Sequence, residues 1–230
     1  MTVYSCGCVN EVEPKSGVLR NISKCNFHIE WSETHPQGLT PAYYEDIGLL
    51  EKGICNNARL IRELEDPLEE MGHTNLFSGN HRSILELGCG LGCYIPLFLK
   101  HGWLYEAVEQ SPFAALWVRN TFDVPVYQVP FEQFRRKVYF WNAIFGAHFF
   151  EHLKDSPAGL KRAYEYLVTG GYLYLIVPDD GDPTNPDHLW FYTPVTLHNL
   201  LDAIGFADIK MTMRKRVEQE NFIYCIARKA

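Results

Sequence analysis

The chain has 230 residues, 47% of them hydrophobic, which is enough to bury a substantial core and too few for a second full domain beside it. Its formal charge is −7, and Lys and Arg are scattered apart from Arg214, Lys215 and Arg216, so no broad basic surface awaits phosphates and nucleic acid is a disfavoured partner. The N-terminus lacks a basic stretch followed by an apolar run, and the longest aromatic stretch, Tyr139 to Phe150, falls short of the roughly 20 residues that span a bilayer; a soluble, cytoplasmic chain without a membrane partner is expected.

From Met1 to about Trp31 the sequence is polar and turn-rich, too weakly patterned to form its own core. Seven cysteines, an odd number without an export signal, argue for reduced thiols rather than a disulfide framework. Cys6 and Cys8, separated by sixteen residues from Cys25 and the nearby His28, could converge on one tetrahedral Zn²⁺ that would stabilise this segment. Unligated thiols in an ordinary hairpin are the alternative. Residues 1–35 are therefore set apart as a small zinc-binding-like segment.

Residues 36–81 form a helical linker or lid region. Thr40 is placed to cap a helix beginning at Pro41, and apolar residues from Leu49 to Leu68 recur at helical intervals as far as Met71, with Gly53 and Asn56 as possible breaks. Tyr43 and Tyr44 could cover a ligand or simply pack. From Arg82 onward, strand-like and helix-like segments alternate in the manner of an α/β parallel sheet, defining a main domain over 82–230. Strands are expected at Ser83–Leu87, Tyr105–Glu109, Val124–Val129, Ala143–Ala147 and Tyr172–Val177. The last two, Ala207–Met213 and Asn221–Ala227, are joined by a charged turn without a helix and should pair antiparallel.

The sharpest motif is Glu86-Leu87-Gly88-Cys89-Gly90-Leu91-Gly92, an apolar strand entering a glycine-rich turn before a helix. Glycine suits such a turn because it accepts positive φ and lets a ligand approach the backbone. Glu109, seventeen positions beyond Gly92, closes the next strand, where Ser111-Pro112 caps a helix and aims the acid at the crevice above the sheet. A hydrated carboxylate there can accept hydrogen bonds from both hydroxyls of a ribose. Nicotinamide-binding turns carry their third glycine one residue later, where this chain has Cys93.

With an acid followed by three alternate glycines, the turn resembles the first motif of the class I S-adenosylmethionine-dependent methyltransferases. The likeness continues in Phe149-Phe150-Glu151-His152-Leu153, in Leu167-Val168-Thr169-Gly170-Gly171-Tyr172, and in the segment from His188 to Phe206, so it runs from Arg82 to the end. It implies a Rossmann-like, mostly parallel seven-stranded sheet with a C-terminal antiparallel hairpin strand, S-adenosyl-L-methionine as cofactor, and methyl transfer to a small metabolite or sugar-like acceptor. It also implies that Glu86, Gly88, Cys89, Gly90 and Gly92 cradle the methionine part, that Glu109 holds the ribose, and that Gln110 lies beside the adenine. Phe131 and Glu132 are further adenine candidates. Two positions depart from the pattern: Pro130 stands where an acid commonly meets the adenine amino group, and Asn142 replaces the usual Asp at the start of the fourth strand.

His148 borders the site at the end of the fourth strand and is the favoured general base among His148, His152 and His188, although methyl transfer needs a base only where the acceptor must lose a proton. Two other readings stand beside this one: a nicotinamide-dependent oxidoreductase, opposed by the glycine spacing, and a non-catalytic cofactor-binding module that docks to a partner through its N-terminal segment. The acceptor and the oligomeric state have no signature in the sequence. For the N-terminal cluster the expected result is about one zinc per chain on elemental analysis after gel filtration, lost in a Cys6→Ser, Cys8→Ser double variant.

Overall fold

The computed structural model describes residues 10–12, 19–21, 58–74, 76, 80, 82–136, 139–179, 188–215 and 221–230. Cys6, Cys8, Cys25, His28, the helix start at Thr40 and Pro41, and Tyr43, Tyr44 and Cys55 lie outside these residues.

The strands are β1 (Asn10–Val12), β2 (Leu19–Asn21), β3 (Ser83–Leu87), β4 (Leu104–Val108), β5 (Val126–Tyr127), β6 (Trp141–Ala147), β7 (Leu167–Pro178), β8 (Trp190–Phe191), β9 (Phe206–Lys215) and β10 (Asn221–Lys229). The helices are α1 (Ala58–Glu70), α2 (Ile95–Lys100), α3 (Pro112–Phe122), α4 (Ser156–Tyr166) and α5 (Pro194–Ile204), with a 3₁₀ turn at Phe150–His152. β1, β2 and β8 make a small antiparallel sheet. The main sheet has seven strands in the order β5-β4-β3-β6-β7-β10-β9. β3 pairs in parallel with β4 and β6, and β10 pairs antiparallel with β9, as the charged turn between the last two strands predicts, and also with β7.

Alternate side chains of each strand enter different layers. On one face Ile84, Tyr105, Ala107, Phe145 and Ile176 pack with Leu64 and Leu68 of α1, Phe98 of α2 and Val118 of α3. On the other, Leu85, Leu87, Ile144, Leu175 and Ile223 pack with Leu160 of α4 and Leu197 and Leu201 of α5. The central strands are thus buried on both sides, which is why they read as near-continuous apolar runs. Helix ends follow their local chemistry. Ser111 Oγ accepts from Ala114 N at 3.3 Å with Pro112 in the first turn, and Thr193 and Thr196 form a reciprocal capping box before α5 stops at Gly205 (φ 110°).

Two expectations shift. The strand expected at Val124–Val129 shrinks to Val126–Tyr127, since Pro125 and Pro130 bracket it and proline cannot donate to a ladder. The strand expected to begin at Tyr172 begins at Leu167, directly after α4. Trp141 pairs with Leu167 while Ala143 pairs with Tyr172, so the Gly170-Gly171 turn is a bulge inside β7. Asn142, which departs from the family pattern, lies at the start of β6 as expected, at the end of the strand away from the glycine turn. Its Oδ1 accepts from Ser83 N (3.1 Å) and its N–H donates to Ser83 Oγ (3.3 Å), tying the starts of β3 and β6.

The bulge explains a glycine. A Cβ on Gly171 would stand 2.9 Å from Val168 O and 3.0 Å from Asn142 O, both backbone atoms. Gly171→Ala should therefore destabilise by about 1–3 kcal/mol, measured as a lower unfolding midpoint, with the far-UV circular dichroism of the folded state unchanged.

Candidate active site

The chain runs β3, β4, β5 toward one edge of the sheet and then returns through β6 and β7 toward the other. Strand order therefore reverses beside β3, and the crevice beyond the carboxyl ends of β3 and β6 is where an open α/β sheet binds ligands. The glycine turn follows β3 there, and His148 and Phe149 follow β6.

The three glycines of the turn all have positive φ, but they serve differently. A Cβ on Gly88 would lie 2.6 Å from Phe149 Cδ2, and one on Gly92 would lie 2.7 Å from both Ile95 Cδ1 and Phe122 Cε2. Those two are needed for packing. A Cβ on Gly90 meets nothing within 4 Å among the described residues, so this backbone faces the space a ligand would occupy. Cys89 is buried, and burial pushes its thiol well above the ordinary range.

Glu86 is buried on the sheet face shared with Tyr105, whose O–H donates to Glu86 Oε2 at 2.6 Å. Burial pushes its carboxyl up to about 8; the Tyr105 hydrogen bond opposes the rise and the nearby Glu109 adds to it. The partner is set by register, since Tyr105 stands opposite Ile84 and its ring lies on the same face as Glu86.

Glu109, expected to be hydrated, is 5% exposed and already engaged: Oε2 accepts from Gly90 N at 2.9 Å and Oε1 from Ser111 N at 2.8 Å. Burial raises its pKa against the lowering effect of the Ser111, Gly90 and Gln110 backbone hydrogen bonds. The acid thus ties the glycine turn to the start of α3. Gln110 beside it is exposed. Phe131 is buried in an aromatic cluster with Phe134, Phe149 and Tyr166, and Glu132 is exposed with its carbonyl 2.6 Å from Arg162 Nη1.

His148 adopts φ 52°, uncommon for a non-glycine residue, while its N–H donates to Ile176 O at 2.9 Å. Its ring meets the edge of Phe222 at 4.9 Å, and its Nδ1 lies 3.6 Å from Glu151 Oε1. Glu151 is wholly buried, His152 Nε2 stands 3.9 Å from the same oxygen, and the His188 ring is 5.0 Å from that of His152. Burial alone would raise the Glu151 carboxyl, but the surrounding His148, His152 and His188 outweigh it and hold the pKa below the ordinary value. The sequence singled out each of these histidines, yet not their convergence on Glu151. The H-x-x-E-H spacing was a visible signal; the arrival of His188 was not.

The methyltransferase domain family model matches residues 56–211. Among solved structures, the S-adenosylmethionine-dependent methyltransferase from Mesorhizobium loti is 14% identical, with a TM-score of 0.57 over 66% of this chain and 92% of that one. That from Thermotoga maritima is 21% identical, with a TM-score of 0.55 over 65% and 83%. Haemonchus contortus phosphoethanolamine N-methyltransferase 2, in complex with phosphomonomethylethanolamine and S-adenosylhomocysteine, is 14% identical, with a TM-score of 0.60 over 73% of this chain and 52% of that one. A comparison with curated proteins finds no match. Fold and family together define an S-adenosylmethionine-dependent methyltransferase of class I. The chain belongs to the methyltransferase domain family, and the nicotinamide-dependent reading is set aside. No helix among the described residues is long and apolar enough to cross a membrane.

The raised Glu86 pKa has a pH signature. Between the unfolded value near 4.5 and the folded value of about 8, the folded state binds the extra proton, so this group's contribution to stability falls as pH rises through that window. Glu86→Gln keeps an acceptor for Tyr105 and should raise the unfolding midpoint of the ligand-free protein at pH 8, by roughly 2–4 °C for each kcal/mol relieved. At pH 4 the variant and parent should melt together.

Proposed function

We propose that the chain transfers the S-adenosylmethionine methyl group to a small metabolite or sugar-like acceptor bound over the carboxyl ends of β3 and β6. The observation that carries this reading is the open space in front of Gly90, in a turn braced by Glu109. Bound there, the cofactor supplies an electrophilic methyl on a sulfonium. The backbone of Gly90 forms the floor, Gly88 and Gly92 let the turn pack closely enough to be a floor, and Glu86 supports it from beneath. Glu109 lies where a ribose would approach, and exposed Gln110 lies beside the adenine, with Phe131 and Glu132 further along. Asn142, at the far end of β6, has no part in binding.

His148 is the proposed acceptor-side base, since its side chain is partly exposed and Glu151 can orient it and offset a gained proton. The Haemonchus protein, which holds a small amine substrate, supports an acceptor of that size. A structural zinc at Cys6, Cys8, Cys25 and His28 and a cytoplasmic location are further parts of this proposal, resting on sequence alone.

Calorimetric titration with S-adenosylmethionine is the test. Gly90→Val should abolish binding in a protein that still folds but unfolds at a lower midpoint, because a β-branched residue is strained at the positive φ of position 90. Glu109→Ala should lose about 2–3 kcal/mol of binding, near a hundredfold in affinity, and should also lower the unfolding midpoint, because Gly90 N and Ser111 N lose their acceptor. Binding by Gly90→Val equal to that of the parent would place the cofactor elsewhere.

A further inference from the structure

We propose that Glu151, His152 and His188 bind a divalent first-row transition-metal ion at the carboxyl edge of the sheet. One ligand atom from each lies within 4.8 Å of the other two. A cation with bonds of about 2.0–2.2 Å holds tetrahedral neighbours about 3.3–3.6 Å apart and opposed octahedral ligands about 4.0–4.4 Å apart. The 3.9 Å between His152 Nε2 and Glu151 Oε1 falls between these values, and the 4.8 Å bound on the set lies just above them, so the side chains must draw together to close on an ion.

The independent observation is Glu151 itself. Its side chain is fully buried and neither carboxylate oxygen has a hydrogen-bond partner among the described residues, although His148 Nδ1 and His152 Nε2 stand in ion-pair range of Oε1, at 3.6 and 3.9 Å. A buried carboxylate without hydrogen bonds is costly unless a cation faces it. The frame is built before any ion arrives. Leu189 N donates to Glu151 O at 2.8 Å and Trp190 Nε1 donates to Leu153 O at 2.8 Å, fastening the segment that carries His188 to the turn that carries Glu151 and His152. His152, whose side chain is 37% exposed, gives an ion access from solvent.

Two imidazoles and one carboxylate suit Zn²⁺, Mn²⁺, Fe²⁺ or Co²⁺, and three protein ligands leave coordination positions open. His148 is outside the three-residue set and stays available to the acceptor. That the open positions take an acceptor oxygen rests on the methyl-transfer reading; the ion site does not.

Cobalt(II) is the probe, added to chelator-stripped full-length protein. Nitrogen and oxygen ligands give only weak visible bands, whereas thiolates at Cys6, Cys8 or Cys25 would add a strong near-ultraviolet band. The visible bands should persist in Cys6→Ser, Cys8→Ser and in His148→Gln. Affinity should fall roughly tenfold or more in His152→Ala, a partly exposed position, and in Glu151→Gln, with circular dichroism confirming that each is folded. Unchanged cobalt affinity in His152→Ala and Glu151→Gln, cobalt bound through thiolates alone, or no cobalt bound at all would overturn the site. Titration of the same samples with S-adenosylmethionine reads the methyl-transfer proposal separately.

Discussion

How closely the turn after β3 approaches the turn after β6 governs the carboxyl edge of the sheet. Phe149 occupies the volume that a Cβ on Gly88 would need, coming within 2.6 Å of it. Any larger residue at position 88 would push the two turns apart, and with them the glycine backbone from His148 and Glu151. The positive φ at Gly88, Gly90 and Gly92 is the conformational means, and contact with Phe149, Ile95 and Phe122 is the reason two of these positions tolerate no side chain.

Three carboxylates are buried along this edge, and each is accommodated differently. Glu86 receives one phenolic hydrogen bond and is driven toward its neutral form. Glu109 receives backbone N–H groups from two separate elements, so it acts as a brace. Glu151 has imidazoles around it and, among the described residues, no hydrogen bond to either oxygen, and its pKa is lowered. Burial, the same force in all three, thus produces an acid, a strut and a charge according to what lies nearby.

Much of the fold was legible because the central strands are buried on both faces. Ser83–Leu87 matches its predicted bounds, and α3 begins where Ser111-Pro112 announced it. Legibility failed where the backbone rather than the side-chain pattern decides. The Val168–Gly171 bulge comes from a register shift against β6, and the short β5 from the two prolines that bracket it. At the site, the glycine turn and Glu109 could be named from spacing. The burial of Glu109 could not, because its partners are backbone N–H groups that every residue carries. Nor could the convergence on Glu151, which depends on the fold returning His188 to the end of β6.

The order of the last two strands bears on how the chain is assembled during synthesis. Among the described strands β9 pairs with β10 alone, and β10 lies between β9 and β7. β9 therefore emerges before the strand it must pair with, and β7 keeps an open edge until β10 inserts. Lys229 adds to this dependence: its Nζ donates to Tyr164 O (2.7 Å) and Leu167 O (2.9 Å), carbonyls at the end of α4 that have been waiting since that helix formed. Such distant closure makes for a slow step and a nascent chain with an exposed, apolar sheet edge, the kind of intermediate on which chaperones act.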